Sequence, residues 1–383
     1  MRRLWWLLPV GGLLVLLTGA LPSAAAEQVV QRVAGVLLFV VAVTVVAELA
    51  TAAGLFDIAA REAARLGGGR SWQLWLLVAL LAIACTAVLS LDTTAVLLTP
   101  VVLALARQVG APPLLLAMTT VWLANTASLL LPVSNLTNLL ALHVLPGGQD
   151  VGGYLALVWR PALVAVVVTL VVLAVLHCRE LRQGYEVPSP PVVGDRVLLV
   201  VASVVCVSLV PAFLSGVPVA LSASVGALVL VAVTAWRRPV VLSVGLLPWR
   251  LVLGVLGLFL LVAALDHLGL TGFLGNVAGS SSDAGGLLRL ALTGALTANV
   301  VDNLPAYLAL EPVAADAAER VVALLVGVNV GSLITPWASL ATLLWADRCR
   351  AAGVAVDWWR FAREGLLLVP LLLVACTAAL ALA

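Results

Sequence analysis

No lysine occurs in this chain of 383 residues; all twenty basic residues are arginine. That bias reads as the codon usage of a GC-rich genome rather than as chemistry. Charge of either sign is scarce: 10% of residues are charged, the net is +2, and the arginines stand scattered between apolar runs. Such a pattern offers no basic patch for nucleic acid. The three histidines and the five cysteines (Cys85, Cys178, Cys206, Cys349 and Cys376) show no metal-ligand spacing. Most of these cysteines sit in apolar runs, where a thiol behaves as a small hydrophobe. There is no dinucleotide-type glycine fingerprint and no Walker-type loop. The chain is therefore expected to be neither an enzyme nor a self-contained ATPase, and to hold no metal or organic cofactor.

Apolar residues fill the space left by charge. They make up 63% of the chain, and the mean hydropathy is +1.20. A soluble protein of this length needs far more polar surface, so most helices must face lipid. A span takes about 20 apolar residues at a rise of ~1.5 Å each. Full spans are expected near 4–21, 29–54, 113–145, 155–177, 197–214, 218–235, 251–270, 321–346 and 364–382. Two further apolar stretches, 72–106 and 286–311, are interrupted at the middle by polar residues. Each reads as a helical hairpin that enters and leaves on one side. Irregular backbone at that depth survives only against protein or a wet cavity.

Arginine placement tests the layout. With the N-terminus inside, sixteen arginines lie inside and four outside, the latter being Arg32, Arg160, Arg289 and Arg320. This is a strong positive-inside bias, and counting either hairpin as a full span destroys it. Arg2, Arg3, the apolar run Leu4–Leu17 and the small residues Ala24–Ala26 also resemble a secretory signal peptide. A retained first span is preferred because the repeat described next needs it. Segment 178–196, with Pro188, Pro190 and Pro191, reads as a cytoplasmic linker, and 278–286 as a flexible exterior loop. Trp5, Trp6, Trp72, Trp75, Trp159, Trp249, Trp358 and Trp359 are expected in an interfacial aromatic belt.

The halves repeat. Residues 124–140 read ANTASLLLPVSNLTNLL and residues 328–344 read VNVGSLITPWASLATLL. Without gaps, Asn125 meets Asn329, Ser128 meets Ser332 and Pro132 meets Pro336; Asn135 faces Ser339 and Asn138 faces Thr342. Upstream of each comes an aspartate at a hairpin tip, Asp92-Thr93-Thr94 and Asp302-Asn303. Further upstream, 47–56 (AELATAAGLF) resembles 264–273 (ALDHLGLTGF), and the span 4–21 takes 218–235 as its counterpart. The expected fold is an all-α polytopic membrane protein of two inverted repeats, each with a re-entrant hairpin and a broken transmembrane helix. Repeat 1 covers 1–177, the linker and a connecting span 178–217, and repeat 2 covers 218–383. Many secondary transporters place one site at the midplane between such halves.

The chemistry-bearing residues follow from this pattern. A proline frees backbone groups of its helix. Around Pro132 and Pro336 stand Ser134, Asn135, Thr137, Asn138, Thr335, Ser339 and Thr342, with Asn125, Ser128, Asn329 and Ser332 upstream. Unwound carbonyls can hold a cation, and the following half-helix N-terminus an oxyanion or hydroxyl. The plainer reading is a kink whose polar side chains only re-satisfy the backbone. Asp92 and Asp302, in apolar surroundings, must be paired, wet or protonated. They read as proton or cation sites, or else as tip caps. Glu48, Asp266 and His267 receive no role.

The stretches LDTTAVLLTPVVLALA (91–106), ANTASLLLPVSNLTNLL (124–140), NVVDNLPAYLA (299–309) and GSLITPWASLATLLWA (331–346) resemble the arsenical pump membrane protein family. That family belongs to the ion transporter superfamily, with the divalent anion/sodium symporters. The resemblance spans roughly residues 29–382. It implies efflux of arsenite or antimonite across a bacterial inner membrane, with proton or sodium as coupling ion. It also implies a homodimer and, in some members, a soluble ATPase subunit. The site would be formed by the tips at Asp92–Thr94 and Asp302–Asn303 and by the two breaks. The chain departs from the family at Asn125, often an aspartate there, and at Asp302, usually an asparagine. Uptake of a small anion such as a dicarboxylate is the competing expectation.

Overall fold

The computed structural model describes residues 6–145, 151–189, 194–215, 217–267 and 269–382; for Arg32, Val244, Asp266, His267, Leu270 and Thr271 it describes the backbone alone. Trp5, Pro190 and Pro191 therefore lie outside the described residues, as do the side chains of Asp266 and His267. Apart from one bridge between Arg70 and Gly184, the ordered elements of the described chain are helices. Nine of them are long and apolar enough to cross a membrane.

The first half runs α1 (Leu7–Leu17), α2 (Ser23–Ala52), the short amphipathic α3 (Leu55–Leu66), α4 (Ser71–Leu89), α5 (Leu91–Val109), α6 (Pro113–Thr126), α7 (Leu136–Ala141) and α8 (Val151–Leu176). α9 (Arg196–Leu214) connects to the second half. There follow α10 (Val219–Arg237), α11 (Trp249–His267), α12 (Leu270–Ala278), α13 (Ala284–Val301), α14 (Asn303–Ala314), α15 (Ala318–Leu325), α16 (Leu340–Ala351) and α17 (Trp358–Ala381). Local chemistry sets several of these ends. Asp195, Asp283 and Asp357 cap α9, α13 and α17 by accepting from first-turn amides. Arg237 beside Asp195 holds that carboxyl below the usual carboxylate range, helped by the amides of Leu198 and Val197.

Burial grades inward toward the broken helices. Every residue of α6 from Leu115 to Thr126 is buried. α9 and α10 instead turn Val200, Val204, Val207, Leu221, Val225 and Leu228 outward, the composition expected of a lipid-facing surface. α8 and α17 pack along each other, α1 lies along α11, and α10 lies along α2. Among the described residues α1 ends at Leu17, before the end of the expected span, and its contact with α11 is backbone to backbone. A Cβ on Gly257 would sit 2.2 Å from the Leu8 carbonyl oxygen. Gly257→Val is therefore expected to cost about 1–3 kcal/mol or more, read as a lower melting temperature in detergent. Unchanged melting would show that α1 is not held this way.

Three sequence expectations change in the fold. Trp75 is a core residue, not an interfacial one; its indole donates to Thr119 Oγ1 at 2.8 Å. The loop around 278–286 is pinned rather than loose, because Arg320 reaches into it. That arginine is fully buried. It donates to Asp316, to the carbonyls of Ser281 and Gly279 at 2.8 and 2.7 Å, and to Val313. The linker, finally, is stitched to the helix ends it passes: Ser71 N–H donates to Gln183 O, Tyr185 N–H to Gly69 O and Glu186 N–H to Val109 O.

Candidate functional site

The first break begins where α6 tightens into a 3-10 turn, Ala127–Leu130, and then extends at Leu131. A second short turn, Pro132–Ser134, leads to extended Asn135, whose side chain caps α7 by accepting from Thr137 N–H. The unwound carbonyls are largely satisfied from within. Asn138 Nδ2 donates to Ser128 O at 2.7 Å and Leu131 O at 3.2 Å. Tyr154 donates to Leu129 O, Ser128 Oγ to Asn125 O, and Ser134 Oγ to Ala87 O. Ser128, Ser134 and the Nδ2 of Asn138 thus bond backbone carbonyls.

The second break is built differently. α15 widens into a π-turn, Val326–Val330, and the chain from Gly331 to Ser339 is non-helical before α16. π-turns inside helices mark a local insertion and recur at functional positions. Small residues permit the close approach. A Cβ on Gly327 would lie 2.3 Å from Ala291 O, and one on Gly365 would lie 2.1 Å from Leu333 O. Asn299 of α13 holds the segment open: Oδ1 accepts from Ile334 N–H and Thr335 N–H, and Nδ2 donates to Gly331 O at 2.8 Å. Thr335 Oγ1 and Trp337 Nε1 both donate to the Asn299 carbonyl. Sequence reasoning missed Asn299. Its signal was available, an amide three residues before Asp302.

The two breaks meet at Asn329. Its Oδ1 accepts from Asn135 Nδ2 at 2.9 Å and Thr137 Oγ1 at 2.8 Å, and its Nδ2 donates to Asn138 Oδ1 at 2.8 Å. Asn125, its partner in the sequence repeat, does not reciprocate. Asn125 Nδ2 turns to Val121 O of its own helix, and its Oδ1 receives only a long 3.5 Å contact from Ser332 Oγ. Correspondingly, Ser339 and Thr342 are fully buried, yet among the described residues neither hydroxyl has a hydrogen-bond partner. Ser339 is the N-cap residue of α16 and does not cap it with its side chain.

Each hairpin turns on a residue with positive φ, Ser90 (φ 119°) between α4 and α5 and Asp302 (φ 108°) between α13 and α14. These are conformations that cost non-glycine residues about 1–3 kcal/mol each, stored where function needs a fixed shape. The true counterpart of Asp302 is thus Ser90, and Asp92 lies two residues further into its helix. Ser90 Oγ donates to Thr93 Oγ1 and accepts from Thr93 N–H; Thr94 Oγ1 donates to Ser90 O. Asp302 Oδ1 accepts from Leu304 N–H at 3.1 Å, and the carboxylate faces the Leu340 amide at the head of α16. Asp92 and Asp302 lie within range of each other's charge. Asp92, Ser90 and Thr93 border a cavity of about 60 Å³ with Thr44, Val133 and Leu136, and among the described residues no arginine lines it. Asn303 is buried beside Asp302. Glu48, half-buried in α2, does not line this cavity.

Known proteins extend these findings. A family model described as citrate transporter matches residues 2–346. The arsenical pump membrane protein of Escherichia coli K12 is 31% identical over 402 aligned positions, covering 98% of this chain and 93% of that protein. The protein of the same name from Yersinia enterocolitica is 30% identical, covering 89% of this chain and 85% of its own length. Among solved structures, the YdaH transporter of Alcanivorax borkumensis, described as having an unusual topology, superposes with a TM-score of 0.55 at 15% identity. It covers 93% of this chain and 87% of its own. At that identity the likeness concerns the fold alone.

Proposed function

This chain belongs to the citrate transporter family and is a multi-pass membrane transporter, and from that premise we propose that it exports arsenite or antimonite by secondary active transport. The driving force in this reading is the proton gradient or the membrane potential. The protein sits in a bacterial inner membrane with its N-terminus cytoplasmic, its halves inverted about the site, assembled as a homodimer and served in some settings by a soluble ATPase. The arginine distribution and the paired packing of α1 on α11 and α10 on α2 support the inversion.

The unequal treatment of the two breaks carries the reading. Asn329 closes the first break, whereas the second leaves the Ser339 and Thr342 hydroxyls without partners at the N-terminus of α16. A buried hydroxyl without a partner costs about 1–3 kcal/mol, and a hydroxylated cargo relieves that cost. Arsenous acid is neutral and carries three As–OH groups that donate and accept. Amides and hydroxyls match it without supplying net charge. Asp92 and Asp302 then serve as the carboxylates whose protonation couples to the cargo.

The family's description favours a second reading, sodium- or proton-coupled uptake of citrate or a dicarboxylate. Against it stands a cavity that Asp92 lines and that, among the described residues, no arginine lines, a poor host for a polyanion. The deciding experiment expresses the chain in an arsenite-sensitive bacterium and measures tolerance. No gain in tolerance, with sodium-dependent citrate uptake in vesicles, would move the assignment to the second reading. Within the first, a Ser339→Ala, Thr342→Val double variant is expected to melt no lower than wild type, since neither hydroxyl is bonded. Its arsenite flux should fall at least about tenfold, as for loss of two hydrogen bonds of ~1 kcal/mol each. A destabilised variant with full flux per folded molecule would end the cargo role of these hydroxyls.

A further inference from the structure

Away from the breaks, the head of α4, the foot of α8 and the Cys178–Leu181 turn enclose a cleft of about 450 Å³. Arg70, Arg182, Trp72, Gln183 and Cys178 are among its lining residues, and among the described residues no acidic side chain is. Both arginines are exposed, and among the described residues neither guanidinium has a hydrogen bond or ion pair. Of the acidic side chains near them in sequence, Glu62 pairs with Arg65 and Glu180 contacts His177, while Glu186 does not line the cleft. The two arginines are also held in fixed relation. Arg70 bridges to Gly184, Ser71 N–H donates to Gln183 O, and Tyr185 N–H donates to Gly69 O. Arg70 is moreover the N-cap residue of α4, so the positive end of a 19-residue helix adds to the potential.

The flanks of the cleft are apolar. Trp72, Leu76 and Leu80 form an exposed stripe down α4, and Val167, Val171 and Val175 form another down α8 to the turn before Cys178. Both stripes follow the four-residue spacing of one helix face. Paired cations at the end of lipid-facing ridges match a molecule with a phosphate head and acyl tails.

We propose that this cleft binds the headgroup of an anionic phospholipid, with Arg70 and Arg182 on the phosphate and the acyl chains along the two stripes. A free phosphate ion would use the arginines and leave the stripes unused. The site thus ties the linker between the halves to the surrounding bilayer.

The test places the full-length protein in nanodiscs of phosphatidylcholine with or without phosphatidylglycerol and measures melting temperature and retained lipid by native mass spectrometry. Wild type should melt higher with phosphatidylglycerol and carry the lipid into the gas phase. Arg70→Gln with Arg182→Gln should weaken phosphatidylglycerol binding on the order of 30-fold, the product of two surface arginines. Both side chains are exposed, so the variant should melt like wild type in phosphatidylcholine alone. Arg348→Gln with Arg363→Gln, away from the cleft, should leave lipid binding intact. Equal loss in that control pair would reduce the effect to general membrane charge and overturn the site. Inorganic phosphate matching the lipid's effect in phosphatidylcholine discs would overturn the lipid assignment, and so would a wild type indifferent to phosphatidylglycerol.

Discussion

Asn329→Ala is expected to abolish transport and to lower stability far more than Asn125→Ala, although the two asparagines occupy the same register of the repeat. Removing the Asn329 amide leaves Asn135 Nδ2, Thr137 Oγ1 and Asn138 Oδ1 facing a void in a fully buried layer. Each orphaned group costs about 1–3 kcal/mol, against a total folding stability of ~5–15 kcal/mol for a typical domain. Asn138 has no spare donor to swing into the gap, because its Nδ2 already holds the Ser128 and Leu131 carbonyls. Asn125→Ala breaks one bond within its own helix and a long contact to Ser332. Thermal melting in detergent and arsenite uptake by everted vesicles separate the two. Equal melting of both variants would mean that the bridge between the breaks is not what holds them together.

Asp302→Asn is expected to fold normally and to lose coupled flux on the order of a hundredfold, the equivalent of the ~2.5–3.5 kcal/mol by which a membrane-embedded carboxylate differs from a neutral group. The substitution keeps an Oδ1 acceptor for Leu304 N–H, and asparagine tolerates positive φ better than most residues. Asp302→Ala removes the cap as well and puts alanine at φ 108°. It should therefore also melt lower, by roughly 1–2 kcal/mol of stability. Asp92→Asn should likewise spare the fold and lose the coupling, since Ser90 rather than Asp92 caps that turn. Full proton-driven flux in both asparagine variants would remove the carboxylates from the mechanism. Reduced melting of Asp302→Asn itself would instead mark its charge as structural.

Much of this was legible in one dimension. Asn, Ser and Pro recur in fixed register, and the chain there is unwound at both places. Proline alone does not announce a break, since Pro161, Pro211, Pro312 and Pro370 sit inside continuous helices; it is the shared register of Asn, Ser and Pro that singles out Pro132 and Pro336. Other features were not legible, because they depend on which direction a side chain leaves a packed helix. Residue spacing offered the Asp92 and Asp302 motifs as equivalent tips, whereas backbone geometry pairs Asp302 with Ser90. Trp75 lies near a helix head and yet turns inward to Thr119.

Composition alone made this a membrane protein, since a chain with so few charges has too little polar surface to fold in water, and the doubled motif alone located its two breaks. Only the tertiary structure made the repeat unequal. Asn329 crosses to three partners roughly 190 residues away in sequence, while Asn125 folds back on its own helix. Such a choice is settled by hydrogen-bond geometry between packed segments, where differences of an ångström decide which donor finds an acceptor and which hydroxyl does not.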